Sequence, residues 1–120
     1  MKTRPTILIA DDEPNITRLI SIILGKNGYS SLVARDGEET LRLARTKKPD
    51  LILLDLIMPG NGMEVLKKLR TFTSVPVIIV SARHDIIGEA MKLGADSYIT
   101  KPFVPDKLVE SISSVLQNVS

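Results

Sequence analysis

Four short strand-like runs in this sequence each end on residues able to do chemistry. Ile7-Leu8-Ile9-Ala10 runs into Asp11-Asp12-Glu13, Leu51-Ile52-Leu53-Leu54 into Asp55, Val75 to Val80 into Ser81, and Ser97 to Thr100 into Lys101. Taken singly each has a bland role, since an aspartate after a strand readily caps the following turn. Taken together they are a hydroxyl, an amine and three carboxylates. A charged side chain beside an apolar run must offset its desolvation with water, a metal or a cation. Three crowded carboxylates suit a hard cation that takes oxygen ligands and keeps some of its waters, and Mg²⁺ is the obvious one. A lysine next to such an ion would be repelled unless a further anion were expected, and a hydroxyl adds a donor for an oxyanion. The visiting group that this set anticipates is a phosphoryl.

The elements that must position these residues follow from the hydrophobic pattern. Leu51 to Leu54, entered from Lys48-Pro49-Asp50 and closed by Pro59-Gly60, is apolar throughout, as befits a central strand buried on both faces. After Pro14, the residues Ile16, Leu19, Ile20 and Ile23 recur at helical spacing, with Gly25 or Gly28 as the stop. Tyr29 to Ala34 is a second strand. Asp36 and Glu39 resemble a capping box ahead of a helix that carries Leu41 and Ala44 and runs out at Lys47-Lys48-Pro49. Gly60-Asn61-Gly62 turns the chain into a helix with Val65, Leu66 and Leu69 on one face. After the strand Val75 to Val80, which has Pro76 at its start, His84-Asp85 lead into a weaker helix. It carries Ile86, Ile87, Ala90 and Met91, is weakened by Gly88 and is stopped by Gly94. The last helix starts about Pro105 and shows Leu108, Ile112, Val115, Leu116 and Val119. Strand and helix alternate five times, which predicts right-handed crossovers and a parallel sheet covered on both faces. In such sheets ligand-binding groups gather beyond the carboxyl ends of the strands. Asp11, Asp12, Asp55, Ser81 and Lys101 all fall on that edge.

Size and composition narrow the function classes. With 120 residues the chain is expected to be one domain with a continuous core. Cysteine is absent, which removes disulfides, Cys-ligated zinc and a thiol nucleophile. The apolar run after the basic start Met1-Lys2-Thr3-Arg4-Pro5 is too short for a leader core or a membrane span, so a cytoplasmic protein is expected. The net charge of +2, from 16 basic and 14 acidic residues, does not imply nucleic-acid binding, and two Tyr, two Phe and no Trp are too few for a base-stacking surface. The basic residues Arg42, Arg45, Lys47, Lys48, Lys67, Lys68 and Arg70 fall near helix ends, where they are expected to complement helix dipoles on solvated faces.

Four motifs in order carry a family resemblance: Ile9-Ala10-Asp11-Asp12-Glu13, Leu54-Asp55-Leu56-Ile57-Met58-Pro59, Val80-Ser81-Ala82, and Gly94-Ala95-Asp96-Ser97-Tyr98-Ile99-Thr100-Lys101-Pro102-Phe103. With them the chain resembles the receiver domain of two-component response regulators over essentially all of residues 1–120. The resemblance implies a flavodoxin-like (βα)5 doubly wound sandwich, an α/β fold with a five-stranded parallel sheet of strand order 2-1-3-4-5. It implies Asp55 as phosphoacceptor for a phosphohistidine on a histidine kinase or a histidine phosphotransfer protein. Mg²⁺ would be held by Asp12, Asp55 and the Ile57 backbone carbonyl, and through water by Asp11. Lys101, followed by a cis peptide bond to Pro102, would pair with the phosphoryl group. Ser81 and Tyr98 would form the switch: the Ser81 hydroxyl moves toward the phosphoryl and Tyr98 rotates into the vacated space. The responding surface would be the fourth helix, fifth strand and fifth helix, Ile86 to Val119, used for a homodimer, an output domain or a downstream protein. No direct contact with nucleic acid or membrane is implied for this domain.

Two loops depart from the family pattern. The segment from Asp55 to Gly62 is one residue shorter than the usual turn, with Asn61 where an acidic residue is common, and Ser81 to Lys101 is about two residues shorter than usual. In receivers the side chains two positions after the acceptor and two after the hydroxyl flank the path of attacking water. Here these are Ile57 and Arg83, which imply slow self-dephosphorylation, because Ile57 cannot orient water and Arg83 can cover the phosphate. His84, the only histidine, is expected to be an exposed loop residue. A phosphohydrolase with an aspartate nucleophile would need a second acid where Ile57 stands. A nucleotide or flavin module would want a Gly-rich loop after the first strand rather than Asp11-Asp12-Glu13. A receiver-like scaffold that binds proteins without phosphorylation is the remaining alternative.

Overall fold

A computed structural model describes residues 4–118; Met1, Lys2, Thr3 and Val119, all named above, lie outside the described residues. In chain order the elements are β1 (Thr6–Ala10), α1 (Pro14–Lys26), β2 (Ser30–Ala34), α2 (Gly37–Lys47), β3 (Leu51–Leu54), α3 (Gly62–Phe72), β4 (Val77–Ser81), a single 3₁₀ turn (His84–Ile86), α4 (Ile87–Lys92), β5 (Ser97–Thr100) and α5 (Pro105–Asn118). The five strands form one sheet in the order β2-β1-β3-β4-β5, and every pairing is parallel. The sheet is parallel as the alternation predicts, and its order is the flavodoxin-like one that the resemblance implies.

Period-two alternation explains why the central strands are apolar throughout. Leu8, Ala10, Ile52, Leu54, Val77 and Ile79 point to one face and pack with Leu43 of α2, Val65, Leu66 and Leu69 of α3, and Ala90 of α4. Ile7, Ile9, Leu51, Leu53, Ile78 and Val80 point to the other and pack with Ile20, Ile23 and Leu24 of α1 and Leu108 and Ile112 of α5. Both faces are dry, so a polar residue anywhere in β3 would be buried. The edge strand β2 is only half-buried over most of its length, and its Ser30-Ser31 start reflects that.

Local chemistry sets the boundaries. Gly25 lies inside α1, and the stop is Gly28, whose φ of +85° suits glycine. Pro76, placed by its sequence at the start of the fourth strand, instead precedes it: it has no N–H for the ladder but its carbonyl accepts from Ile52 N–H at 2.9 Å. Asp36 caps α2 by accepting from Glu39 N–H at 2.8 Å. The returning Glu39 carboxylate takes the N–H of Arg35 at 2.9 Å, one residue earlier than a capping box requires. The weak fourth helix is split into the 3₁₀ turn and the six residues of α4.

One helix-end cation departs from the solvated-face expectation. Arg70, only 21% exposed, donates to the carbonyls of Gly94, Thr73 and Val75 and to Asp96 Oδ2. Asp96 Oδ2 also accepts from Val77 N–H at 2.9 Å. Arg70 thus ties the end of α3 to the entry of β4 and the α4–β5 connection. Arg45 lies over the ring of Phe72, 4.3 Å from its centroid.

Candidate functional site

The parallel ladder continues one residue past the ends of the central strands, and this places the site. Asp11 N–H donates to Ala34 O at 3.0 Å and Asp55 N–H to Ala10 O at 2.9 Å. The two aspartates therefore leave β1 and β3 side by side. On the far side, Ser81 pairs with Thr100, and Lys101 N–H donates to Ser81 O at 3.0 Å. The Lys101-Pro102 bond is cis, as the resemblance implies. Lys101 Nζ reaches back over the edge to Asp11 Oδ2 at 2.7 Å and Asp55 Oδ2 at 3.0 Å.

Each buried carboxylate divides its oxygens in the same way. Asp11 Oδ1 accepts from Glu13 N–H at 3.0 Å and Asp55 Oδ1 from Ile57 N–H at 2.9 Å, while both Oδ2 atoms face the lysine. These turns, with the acceptor two residues before the donor, are the local habit of aspartate and fix both side chains. Asp11 and Asp55 are 3% and 7% exposed, and Asp12 is exposed. Carboxylate oxygens of Asp11, Asp12 and Asp55 lie within 4.8 Å of one another.

The charges do not balance. Three carboxylates face one ammonium, so pairing cannot neutralise the group. Burial pushes the Asp55 carboxyl above its usual value, against the pull of the Ile57 N–H and of Lys101, and the neighbouring Asp11 charge adds to the rise. For Lys101 burial works against the charged form, but the hydrogen bonds it donates to Asp11 and Asp55, with their negative charge, outweigh it and hold the ammonium above the ordinary lysine value. An isolated ion pair would lower its acid as it raised its base. Here the acid rises too, because burial of the Asp55 carboxyl outweighs the pull of the Ile57 N–H and of Lys101. A cluster of oxygen donors with surplus negative charge is a fitting donor set for a hard divalent cation.

The remaining predicted residues fall around this centre. Ser81 is fully buried, and its Oγ accepts from Arg83 N–H at 3.1 Å. Tyr98 sits on β5 beside Ile79 with its side chain turned out, 52% exposed. Ile57 is half-exposed between the buried Leu56 and Met58. Arg83 donates from its guanidinium Nε and Nη2 to Asp85, at 2.9 and 2.7 Å, in an exposed pair. That pairing holds the Asp85 carboxyl down at about 2. His84 opens the 3₁₀ turn and is exposed. The Arg83–Asp85 pair, two residues apart, was open to sequence reasoning through its opposite charges. No helix among the described residues is long and apolar enough to cross a membrane.

Comparison with known proteins agrees with this geometry. Residues 7–113 match the family model described as the response regulator receiver domain. The chain is 38% identical over 117 residues to the DNA-binding response regulator MtrA of Mycolicibacterium smegmatis, covering 95% of this chain and 51% of that protein. It is 39% identical over 115 residues to the alkaline phosphatase synthesis transcriptional regulatory protein PhoP of Bacillus subtilis, covering 92% of this chain and 48% of that protein. It therefore spans about half the length of the curated relatives it matches. Among solved structures, the receiver domain of the Francisella response regulator 1452 superposes with a TM-score of 0.92 at 36% identity, covering 98% of this chain and all of that one. An edge that gathers Asp11, Asp12, Asp55, Ser81 and Lys101, on this sheet and with these relatives, makes the chain a member of the response regulator receiver domain family.

Proposed function

We propose that the chain is a phosphoacceptor switch in which Asp55 takes a phosphoryl group from a phosphohistidine. An Asp55 carboxylate oxygen attacks phosphorus, the P–N bond to the donor imidazole breaks, and an acyl phosphate remains on Asp55. The donor would be a histidine kinase or a histidine phosphotransfer protein. The observation that carries this is the Lys101 ammonium bridging Asp11 and Asp55 beside Asp12: a nucleophile, a cation for the transferring oxygens and a surplus of carboxylates on one edge.

The residues present fit Mg²⁺. Asp12, Asp55 and the Ile57 carbonyl would hold it directly, and Asp11 through water. When bound it would supply positive charge to the phosphoryl oxygens. The protein's own residues do the rest. The Ile57 N–H holds one Asp55 oxygen, Lys101 follows the incoming negative charge, and the Ser81 hydroxyl can donate to a phosphoryl oxygen once it turns from Arg83 N–H. Movement of Ser81 would open room for the exposed Tyr98 to turn inward and would change the surface of α4, β5 and α5. That surface is proposed for an output domain, a downstream protein or a homodimer, in the cytoplasm and without direct nucleic-acid contact by this domain. An apolar Ile57, with an Arg83 that can cover the phosphate once released from Asp85, favours slow self-dephosphorylation; a phosphoryl half-life unchanged when Ile57 and Arg83 both become small polar residues would overturn that part.

The test is intact-mass measurement after incubation with acetyl phosphate, with and without Mg²⁺, for wild type and Asp55→Asn. One phosphoryl adduct that needs Mg²⁺ and is lost in Asp55→Asn is expected. No adduct on wild type, with no Mg²⁺ binding, would leave the protein-binding scaffold as the function.

A further inference from the structure

We infer that Gly37, at the start of α2, is a positioning residue for the metal site, because the loop from Asp55 to Gly62 is seated against it; this rests on the proposed Mg²⁺-assisted chemistry. The loop has only residues 55–61 in which to leave β3 and enter α3. Leu56 and Met58 are buried in the core on either side of the half-exposed Ile57, so a shift of Pro59-Gly60 reaches Ile57 through Met58. The outer limb, Pro59-Gly60, rests on α2. Gly37 N–H donates to Pro59 O at 2.8 Å, so an N–H left free by the first helical turn holds the loop.

The two backbones meet with no side chain between them. A Cβ on Gly60 would lie 2.8 Å from Gly37 N and 3.0 Å from its Cα. A Cβ on Gly37 would lie 3.2 Å from Gly60 O, 3.3 Å from Gly60 Cα and 2.7 Å from Val65 Cγ2. Gly60 also has φ +95°, so any replacement there is strained for two reasons at once. Gly37 has ordinary helical backbone, which makes it the informative position: alanine there changes only the space. Added bulk would meet Val65 Cγ2 first and Gly60 next, and an outward shift of Pro59-Gly60 would draw the Ile57 carbonyl away from the aspartates. Groups that set the orientation of metal ligands typically change affinity by about 10–100-fold. Acting through the loop, Gly37 belongs at the lower end of that range.

The experiment titrates Mg²⁺ into the full chain and follows backbone amide resonances, for wild type, Gly37→Ala and Gly25→Ala. Gly25 has open space around it, so its variant is the control for helix alanines. Expected are an unchanged Kd for Gly25→Ala, a Kd raised about tenfold for Gly37→Ala, and acetyl phosphate labelling of Gly37→Ala that returns to within about twofold of wild type at saturating Mg²⁺. Should Gly37→Ala fail to fold, Val65→Ala is combined with it to remove the 2.7 Å conflict, and its Kd is compared with that of Val65→Ala alone. Wild-type Mg²⁺ affinity in Gly37→Ala would overturn this inference and leave the proposed function standing. A wild type that binds no Mg²⁺ would overturn both.

Discussion

The two ends of the sheet are each joined by a basic side chain, and they differ in how completely that cation is used. At the amino end of β4, Arg70 meets three carbonyls and one carboxylate, and Asp96 returns a bond to the backbone of Val77. Its donors have acceptors and its charge has one partner. At the carboxyl end Lys101 is shared by Asp11 and Asp55, with Asp12 close by. One end is a closed clasp and the other is a cluster with charge left over. Buried polar groups that serve only stability tend to be satisfied. A region that keeps surplus negative charge next to a lysine suits the binding of a cation.

The comparison can be broken at its strongest point first. Replacing Lys101 with alanine is expected to slow labelling by acetyl phosphate about 100-fold at saturating Mg²⁺, the usual loss when a charge aimed at developing oxyanions is removed. A loss below about threefold would mean that Lys101 only holds the edge together, as Arg70 does. Arg70→Ala is expected to lower stability by about 2–3 kcal/mol in urea unfolding, since it removes a charge-assisted bond and strips partners from carbonyls. Labelling per folded molecule should stay within about twofold. A variant that folds normally but labels poorly would show that the clasp reaches the site.

The smallest effect has the opposite sign. Asp12→Asn should raise stability in Mg²⁺-free buffer by about 0.5–1 kcal/mol, because it relieves repulsion at a place selected for binding rather than rigidity. Urea unfolding with and without Mg²⁺ checks this. The gain should shrink or reverse when Mg²⁺ is present, since wild type alone keeps its full set of donors. The same exchange at Asp96 should destabilise at any Mg²⁺ concentration.

The sheet was legible because its signal is local and redundant. Leu51 to Leu54 needs both faces covered, and only a central strand provides that. The site was legible because strand ends are countable, so five residues could be assigned to one edge before any contact was known. The Arg70 clasp was not legible. Two of its partners, Gly94 and Asp96, lie 24 and 26 residues away, and all but Asp96 are backbone carbonyls, which carry no residue identity to read. Around Arg83 the contact is short in sequence instead: Asp85, two residues on, takes the guanidinium in an exposed pair. The Gly37–Gly60 contact left no trace beyond two glycines, since what matters there is the absence of side chains.

The separation of Lys101 from its partners also says something about time. It lies 90 residues after Asp11 and 46 after Asp55, so the contacts that close the edge are among the most non-local in the chain. Such contacts are reached late, after shorter loops have closed. A chain made from its N-terminus and folded only through β4 gathers three carboxylates with no cation of its own to oppose them. Lys101 reaches those carboxylates only when β5 is in place, so completion of the fold and completion of the site coincide. A truncated chain therefore cannot present a finished acceptor to a donor.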